Sequence, residues 1–404
     1  MTEQGIPSLH AAPKFDRLRE LSALFLKLGS ISFGGPAAHI ALIEAEIVRK
    51  RQWVTRQQFL DMLGAANLIP GPTSTEMAIN TGFVRAGWPG LCVAGASFIL
   101  PAALISGGFA WAYVRFGTTP SVASILTGIK PAVLAVIAIA IWRLGKTAIK
   151  DAGLAVLGAA ALAAFFLLLN PIVVLFGGGL IGMLVRQAPS LRTPVSLLVP
   201  FRAGNWSFSL RSLPIGAAGS VVAGTIIVRP SIGQVGLFFL KVGAVLYGGG
   251  YVLLAFLEQG LIQQHGWMTR QQLLDAVAIG QFTPGPVLST ATFIGYILGG
   301  VPGAAVATVG IFLPSFFYVA LLAPILFRLR QSSWIAAFLD SVNVCAVALM
   351  AGVTYWLGID ALRAWPSWLI AAGALAVLLR WKLSPGWVVL GGGIAGLLLS
   401  FFHF

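Results

Sequence analysis

The chain has 404 residues, a length that would allow two or three soluble domains. Composition excludes them: 58% of the residues are hydrophobic and only 9% charged, against about 25% charged in a soluble domain. A mean hydropathy of +0.90 gives a polytopic membrane protein, and the formal charge of +14 then reads as the Lys and Arg excess that topology selection leaves in loops, with no nucleic-acid partner.

In chain order, Met1 to Pro13 is polar and no cleavable signal is expected. The segment from Leu18 to Ile47 is apolar, basic at both ends, and broken at Phe33-Gly34-Gly35-Pro36. It predicts a hairpin of two half-helices that enters and leaves on one side. The segment from Arg56 to Arg85 breaks in the same way at Pro70-Gly71-Pro72. Broken backbone at membrane depth is tolerated only where protein buries it or a wet cavity adjoins it. Spans are predicted at 88–114, 121–145, 151–169, 171–186 and 213–229, then at 302–327, 335–358, 366–380 and 386–403. Counting each hairpin as one unit gives 13 segments, seven then six.

The chain contains its own copy. Phe25-Leu26-Lys27-Leu28-Gly29 returns as Phe239-Leu240-Lys241-Val242-Gly243. Trp53-Val54-Thr55-Arg56-Gln57-Gln58 returns as Trp267-Met268-Thr269-Arg270-Gln271-Gln272, and Asp61 as Asp275. Pro70-Gly71-Pro72 returns as Pro284-Gly285-Pro286. The domains are therefore a first membrane repeat (1–190), a linker with a short helix that inverts the second copy (191–230), and a second repeat (231–404). Arg49-Lys50-Arg51 is strongly basic, and its equivalent, Gln263-Gln264-His265, is not. Copies facing opposite sides of the membrane account for that difference. On this map 19 Lys and Arg lie inside and five outside (Arg115, Lys130, Arg229, Arg270, Arg363), with Lys27 and Lys241 left in the membrane. The N-terminus is cytoplasmic and the C-terminus outside. The fold class is all-α: two inverted-topology repeats, each with two broken-helix hairpins followed by transmembrane helices.

Lys27 and Lys241 occupy matching places in apolar half-helices. An ammonium in hydrocarbon costs several kcal/mol, so each needs a partner or a cavity; Glu44 and Glu258 are the candidate partners. Each break creates a buried helix N-terminus, whose unpaired N–H groups and partial positive charge suit an anion. These N-termini fall at Gly34, Gly35, Pro36 and at Gly71, Pro72, then at Gly248, Gly249 and at Gly285, Pro286. Hydroxyls follow: Thr73, Ser74 and Thr75 in one copy, Ser289 and Thr290 in the other. Four breaks meeting near the bilayer centre with these hydroxyls and the two lysines would suit a tetrahedral dianion. Thr73-x-x-Glu76 reads as a capping box, and Glu76 is either that cap or a proton-coupling carboxylate. His39, beside the first break, could titrate, although Leu253 replaces it in the second copy. Thr55-x-x-Gln58 and Thr269-x-x-Gln272 read as further capping boxes, with Arg56 and Arg270 in the first turns as candidate gating charges.

No phosphate-binding loop, H-E-x-x-H or Cys/His cluster is present. Cys92 and Cys345 lie in apolar runs. Neither a metal nor a cofactor is expected, and no Ser/His or paired-Asp arrangement suggests an enzyme.

The Phe-Gly-Gly-Pro break, the Trp53-x-Thr55-x-x-x-Phe59-x-Asp61 stretch and Asn67-Leu68-Ile69-Pro70-Gly71-Pro72-Thr73 resemble the chromate ion transporter family, its long two-domain members in particular. The resemblance runs from about residue 18 to 404. It implies a secondary transporter of the bacterial inner membrane that exports chromate and confers chromate resistance, driven by the proton motive force or by oxyanion exchange. The family motif falls on Gly34, Gly35, Pro36, Pro70, Gly71 and Pro72, and on Gly248, Gly249, Pro284, Gly285 and Pro286. Gly250 replaces Pro36 in the second copy. A carrier of sulfate, chromate's isostere, and an anion channel are the alternatives. Partners are chromate or sulfate and the lipid bilayer, and a homodimer is compatible with the chain.

Overall fold

A computed structural model describes residues 13–33, 35–117, 119–187, 230–247, 250, 252–322, 332–381 and 383–401. The predicted span 213–229, the linker up to residue 229 and Arg229 itself lie outside them, as do Gly34, Gly248 and Gly249. The described residues form 14 α-helices and no strand.

The first hairpin joins α1 (Lys14–Ile31) to α2 (Pro36–Glu44), which runs on into a π-helical turn at Ala45–Lys50. Pro36 takes the first helical position, where its fixed φ fits and its missing N–H costs nothing. Helix α3 (Arg56–Ala66) starts at Thr55 with both bonds of the predicted capping box. Helix α4 (Thr73–Phe116) folds back on itself at Ala86 and Gly87, so 73–85 and 88–116 are antiparallel arms. They touch at Gly82 and Gly90, where a Cβ on either residue would strike the other's carbonyl. Then come α5 (Pro120–Ala148), α6 (Ala152–Phe166), capped by Asp151 on the Leu154 N–H, and α7 (Pro171–Gln187).

The second copy repeats the plan. Helix α8 (Ile232–Val245) pairs with the short α9 (Leu253–Leu257) and its π turn at Glu258–Gln264. Helix α10 (Arg270–Phe282) carries the other predicted capping box, at Thr269. A 3-10 turn at Val287–Ser289 leads into α11 (Thr290–Leu322), which folds back at Gly299 and Gly300. Helices α12 (Ser333–Ala361), α13 (Trp365–Arg380) and α14 (Pro385–Phe401) complete the chain. Among the described residues four helical stretches are, by length and composition, long and apolar enough to cross a bilayer: Thr73–Phe116, Pro120–Ala148, Val287–Leu321 and Ser333–Ala361.

Lipid tails are as apolar as leucine, so close packing and small residues hold such a bundle together. Helix α1 lies on α4, α8 on α11, and α4 on α11. Around this centre α5 packs on α12, α13 and α14, and α12 on α6 and α7. Gly29 rides on the Phe98 carbonyl and its counterpart Gly243 on the Ile311 carbonyl, so the same close crossing occurs twice.

The two ends of α12 mark two faces. Its start, with Asp340, meets Lys150 at 2.7 Å and Arg186 at 3.2 Å. Its end, with Asp360, meets Arg270 at 3.8 Å. The α6–α7 turn is also at this second face, where Gln259 donates to the Leu169 carbonyl. The second hairpin's mouth, where Arg270 binds Glu258 and approaches Asp360, lies at this second face.

Two expectations are corrected. Pro72, not Thr73, precedes the first turn of α4, and no side chain caps it. The Pro72 carbonyl already takes the Thr75 and Glu76 N–H groups, so Thr73 is a helical residue and the Thr73–Glu76 capping box does not form. Lys130 is not an outer-loop charge. It lies within α5 and is 6% exposed, buried where Lys27 and Lys241 are not.

Candidate functional site

The two Pro-Gly-Pro turns reach across to the opposite copy. The Gly71 N–H donates to the Leu246 carbonyl at 2.7 Å, and the Gly285 N–H donates to the Ser32 carbonyl at 2.8 Å. The four residues are equivalent in pairs, so one contact is the symmetry image of the other. Both glycines hold positive φ, +140° and +87°, a region that side chains disfavour. Each Pro-Gly-Pro turn thus meets, through a main-chain bond, the residue that leads into the opposite copy's first break.

Around these turns lies a group of buried polar side chains with no hydrogen-bond partner among the described residues: Ser32 Oγ, Thr75 Oγ1, both Glu76 carboxylate oxygens, Asn80 Nδ2, Ser289 Oγ and Ser315 Oγ. Buried polar groups are nearly always paired, so a cluster of exceptions calls for an explanation. Thr75 and Ser289 are repeat equivalents, each 0% exposed. Glu76 and Ser315 flank Gly71 closely enough to occupy the space of a Cβ there. His39 is 1% exposed and bonds the Ser32 carbonyl through Nε2 at 3.1 Å, and its Nδ1 has no partner among the described residues. Ser74 is buried and Thr73 half-buried, while Thr290 is 3% exposed and turns its hydroxyl to the Val287 carbonyl. Ser32, Asn80 and Ser315 carried no motif that singled them out.

The lysines stand apart from this group. Lys27 is exposed and faces Glu46 at 3.8 Å, not Glu44. The same carboxylate holds Lys50 at 2.8 Å and Arg51 at 3.6 Å, while Glu44 pairs with Arg49 at 3.5 Å. Lys241 is exposed in a cleft at the second hairpin's mouth.

The two copies differ sharply in their second hairpins. In α10 seven of 13 residues are buried; in α3 only two of 11 are. Asp275 is 2% exposed, 3.1 Å from the Lys130 ammonium, and accepts the Tyr113 hydroxyl at 2.9 Å. Its equivalent, Asp61, is half-buried and accepts from Gln57. Arg270 binds the fully buried Glu258 at 2.7 Å and lies 5.2 Å over the Trp356 ring. Its equivalent, Arg56, is exposed, with no partner among the described residues. One copy's hairpin is locked onto α5, α12 and α14, and the other's is not.

The family model described as chromate transporter matches residues 19–183 and again 233–397. The chain belongs to the chromate transporter family. Its two matched stretches are the two copies. It is 33% identical over 395 residues to a chromate transport protein of Cupriavidus metallidurans, covering 96% of this chain and 95% of the relative. A probable chromate transport protein of Synechococcus elongatus is 31% identical, covering 93% of this chain and 92% of its own. A chromate transport protein of Pseudomonas aeruginosa is 30% identical, covering 94% and 92%. No solved structure matches.

Proposed function

We propose that the protein exports chromate across the bacterial inner membrane, with the N-terminus cytoplasmic and the C-terminus outside. The observation that carries this reading is the pair of reciprocal main-chain bonds, Gly71 to Leu246 and Gly285 to Ser32, set among unpartnered buried hydroxyls and one amide. Such donors suit a tetrahedral oxyanion, whose four oxygens accept in several directions. Family membership supports chromate as that oxyanion.

The driving force follows from charge. An inside-negative potential supplies about 2.3 kcal/mol per elementary charge per 100 mV, so a leaving dianion gains roughly twice that. Glu76 sets the proton's place. A dianion and an ionised Glu76 in one small space repel, so the loaded site holds Glu76 with its proton, and the carboxyl then donates to the substrate.

The asymmetry between α3 and α10 gives the conformational step. In an inverted repeat, exchanging the two copies' conformations exchanges the accessible side. Here the second copy's hairpin is locked, so the outer side is closed and the cytoplasmic side is the one from which substrate enters.

The test is chromate flux into inside-out vesicles, with an imposed potential, with an imposed pH gradient, and with excess sulfate. Saturable uptake that follows the potential, and that falls at least tenfold in Thr75→Val and Ser289→Ala, is the expected result. Non-saturating conductance would replace the carrier with a channel. Uptake that needs sulfate on the opposite side would replace it with an exchanger.

A further inference from the structure

The cleft at the second hairpin's mouth has a volume of about 260 Å³, far more than one water needs. Its polar lining is Asn170, Gln234, Lys241, Gln259, Gln264 and His265, with no carboxylate among the lining residues. Lys241 has no hydrogen-bond or ion-pair partner among the described residues.

The amides here are already oriented. The Gln234 side-chain oxygen accepts the Ser231 N–H at 2.9 Å, and the Asn170 side-chain oxygen accepts the Ile172 N–H at 2.9 Å. These bonds hold each side-chain oxygen against its own backbone and leave both NH₂ groups free to donate. Gln259 is turned the other way, donating to Leu169 and leaving its oxygen free. His265 is held by stacking on Trp267, with ring centroids 4.4 Å apart.

The first copy shows what is absent. Its equivalent lysine, Lys27, faces Glu46, which also gathers Lys50 and Arg51. In the second copy Gly260 stands where Glu46 stands, Gln264 where Lys50 stands and His265 where Arg51 stands. The first mouth neutralises its lysine internally, and the second leaves its lysine among donors.

We infer that this cleft is a second oxyanion site, separate from the central break cluster and outside the reading given above for that cluster. Its ligand is a phosphate-class tetrahedral oxyanion, held by the Lys241 ammonium and the Gln234 and Asn170 amides. The source is either a free oxyanion in the aqueous phase or the phosphate of a lipid headgroup, since apolar Leu237, Val242 and Val245 line the same cleft.

The test uses the full chain in phosphate-free maltoside micelles and reads the acylation rate of each lysine by peptide mass spectrometry. Inorganic sulfate is titrated against chloride at matched ionic strength, and phosphatidylglycerol is added in a separate arm. Sulfate slowing Lys241 acylation at least threefold, with Lys27 unchanged, establishes a site for free oxyanions. Protection of Lys241 by phosphatidylglycerol alone assigns the site to a headgroup phosphate and supports the inference equally. Gln234→Glu keeps the helix cap, because a carboxylate also accepts the Ser231 N–H, and adds a negative charge. It is expected to raise the half-protecting concentration at least tenfold. Lys241 acylating at one rate in chloride, sulfate and phosphatidylglycerol would overturn the inference. None of these readouts involves chromate movement, so a failure of the transport reading leaves them interpretable.

Discussion

Breaking the Lys130–Asp275 pair tests how firmly the second hairpin is locked. The charges lie 3.1 Å apart and neither residue exceeds 6% exposure. At an effective dielectric constant of about 20, unit charges at that separation attract by about 5 kcal/mol. Removing one partner strands the other in the interior, which costs about 3–5 kcal/mol. Asp275→Leu and Lys130→Met should each lose about that much. The double variant Lys130→Met with Asp275→Leu should recover most of it, because well-packed apolar side chains replace a buried pair at little or no cost. Tyr113→Phe removes only a hydroxyl bond, worth about 0.6–1.7 kcal/mol inside a membrane protein. The control is Asp61→Asn in the first copy, where the carboxylate is half-buried, with an expected loss below about 1 kcal/mol. Reversible denaturant unfolding in mixed micelles measures all five. Single losses of under 1 kcal/mol that simply add in the double variant would show that water reaches the pair, and the locked-hairpin argument would fail with it.

Glu76→Gln should leave unfolding stability within about 1 kcal/mol of wild type, since no partner is lost, while vesicle uptake loses its response to an imposed pH gradient. A gradient response unchanged in this variant removes Glu76 from proton handling. Gly71→Ala and Gly285→Ala place a Cβ at positive φ and should each cost on the order of 1–3 kcal/mol, read from melting temperature, with a joint fall in transport. Equal stability in either would mean the turn relaxes without strain. Single cysteines added before Met1 or after Phe404, in a chain lacking Cys92 and Cys345, test orientation. An impermeant maleimide applied to intact cells should label only the C-terminal one.

What the sequence revealed and what it hid divide by range. The capping boxes at Thr55 and Thr269 were legible because side chain and backbone partner are three residues apart. The breaks at Gly35-Pro36 and at the Pro-Gly-Pro turns were legible because glycine and proline restrict their own backbone. Lys130 was misread because its burial depends on Asp275 and Tyr113, which come from other helices. Lys27 was given the wrong carboxylate for a subtler reason. The π turn at Ala45–Lys50 shifts the helical register, and it brings Glu46, not Glu44, to the ammonium. The Thr73 capping box failed because Pro72 already supplies the carbonyl that opens α4. The unpartnered Ser32, Asn80 and Ser315 were invisible, since a lone polar residue in an apolar run shows nothing of what surrounds it.

The duplication preserves backbone and varies charge, and the alternating-access reading explains why. The elements that must work in both states are the same in both copies: the glycine crossings at Gly29 and Gly243, the fold-backs at Gly87 and Gly300, and the reciprocal bonds of Gly71 and Gly285. The elements that tie down one state differ. Asp275 has a buried lysine and Arg270 has Glu258, whereas Asp61 is half-buried with Gln57 and Arg56 stands exposed. If locks of equal strength stood on both sides, the two states would be equally populated. A difference of only about 3 kcal/mol between the locks favours one state by roughly a hundredfold. In the export reading proposed above, that bias sets the empty carrier to rest with its cytoplasmic side accessible, and the energy of opening the outer side then falls on the Lys130–Asp275 and Arg270–Glu258 pairs. Charge asymmetry on a symmetric backbone thus gives such a carrier a preferred side on which to wait.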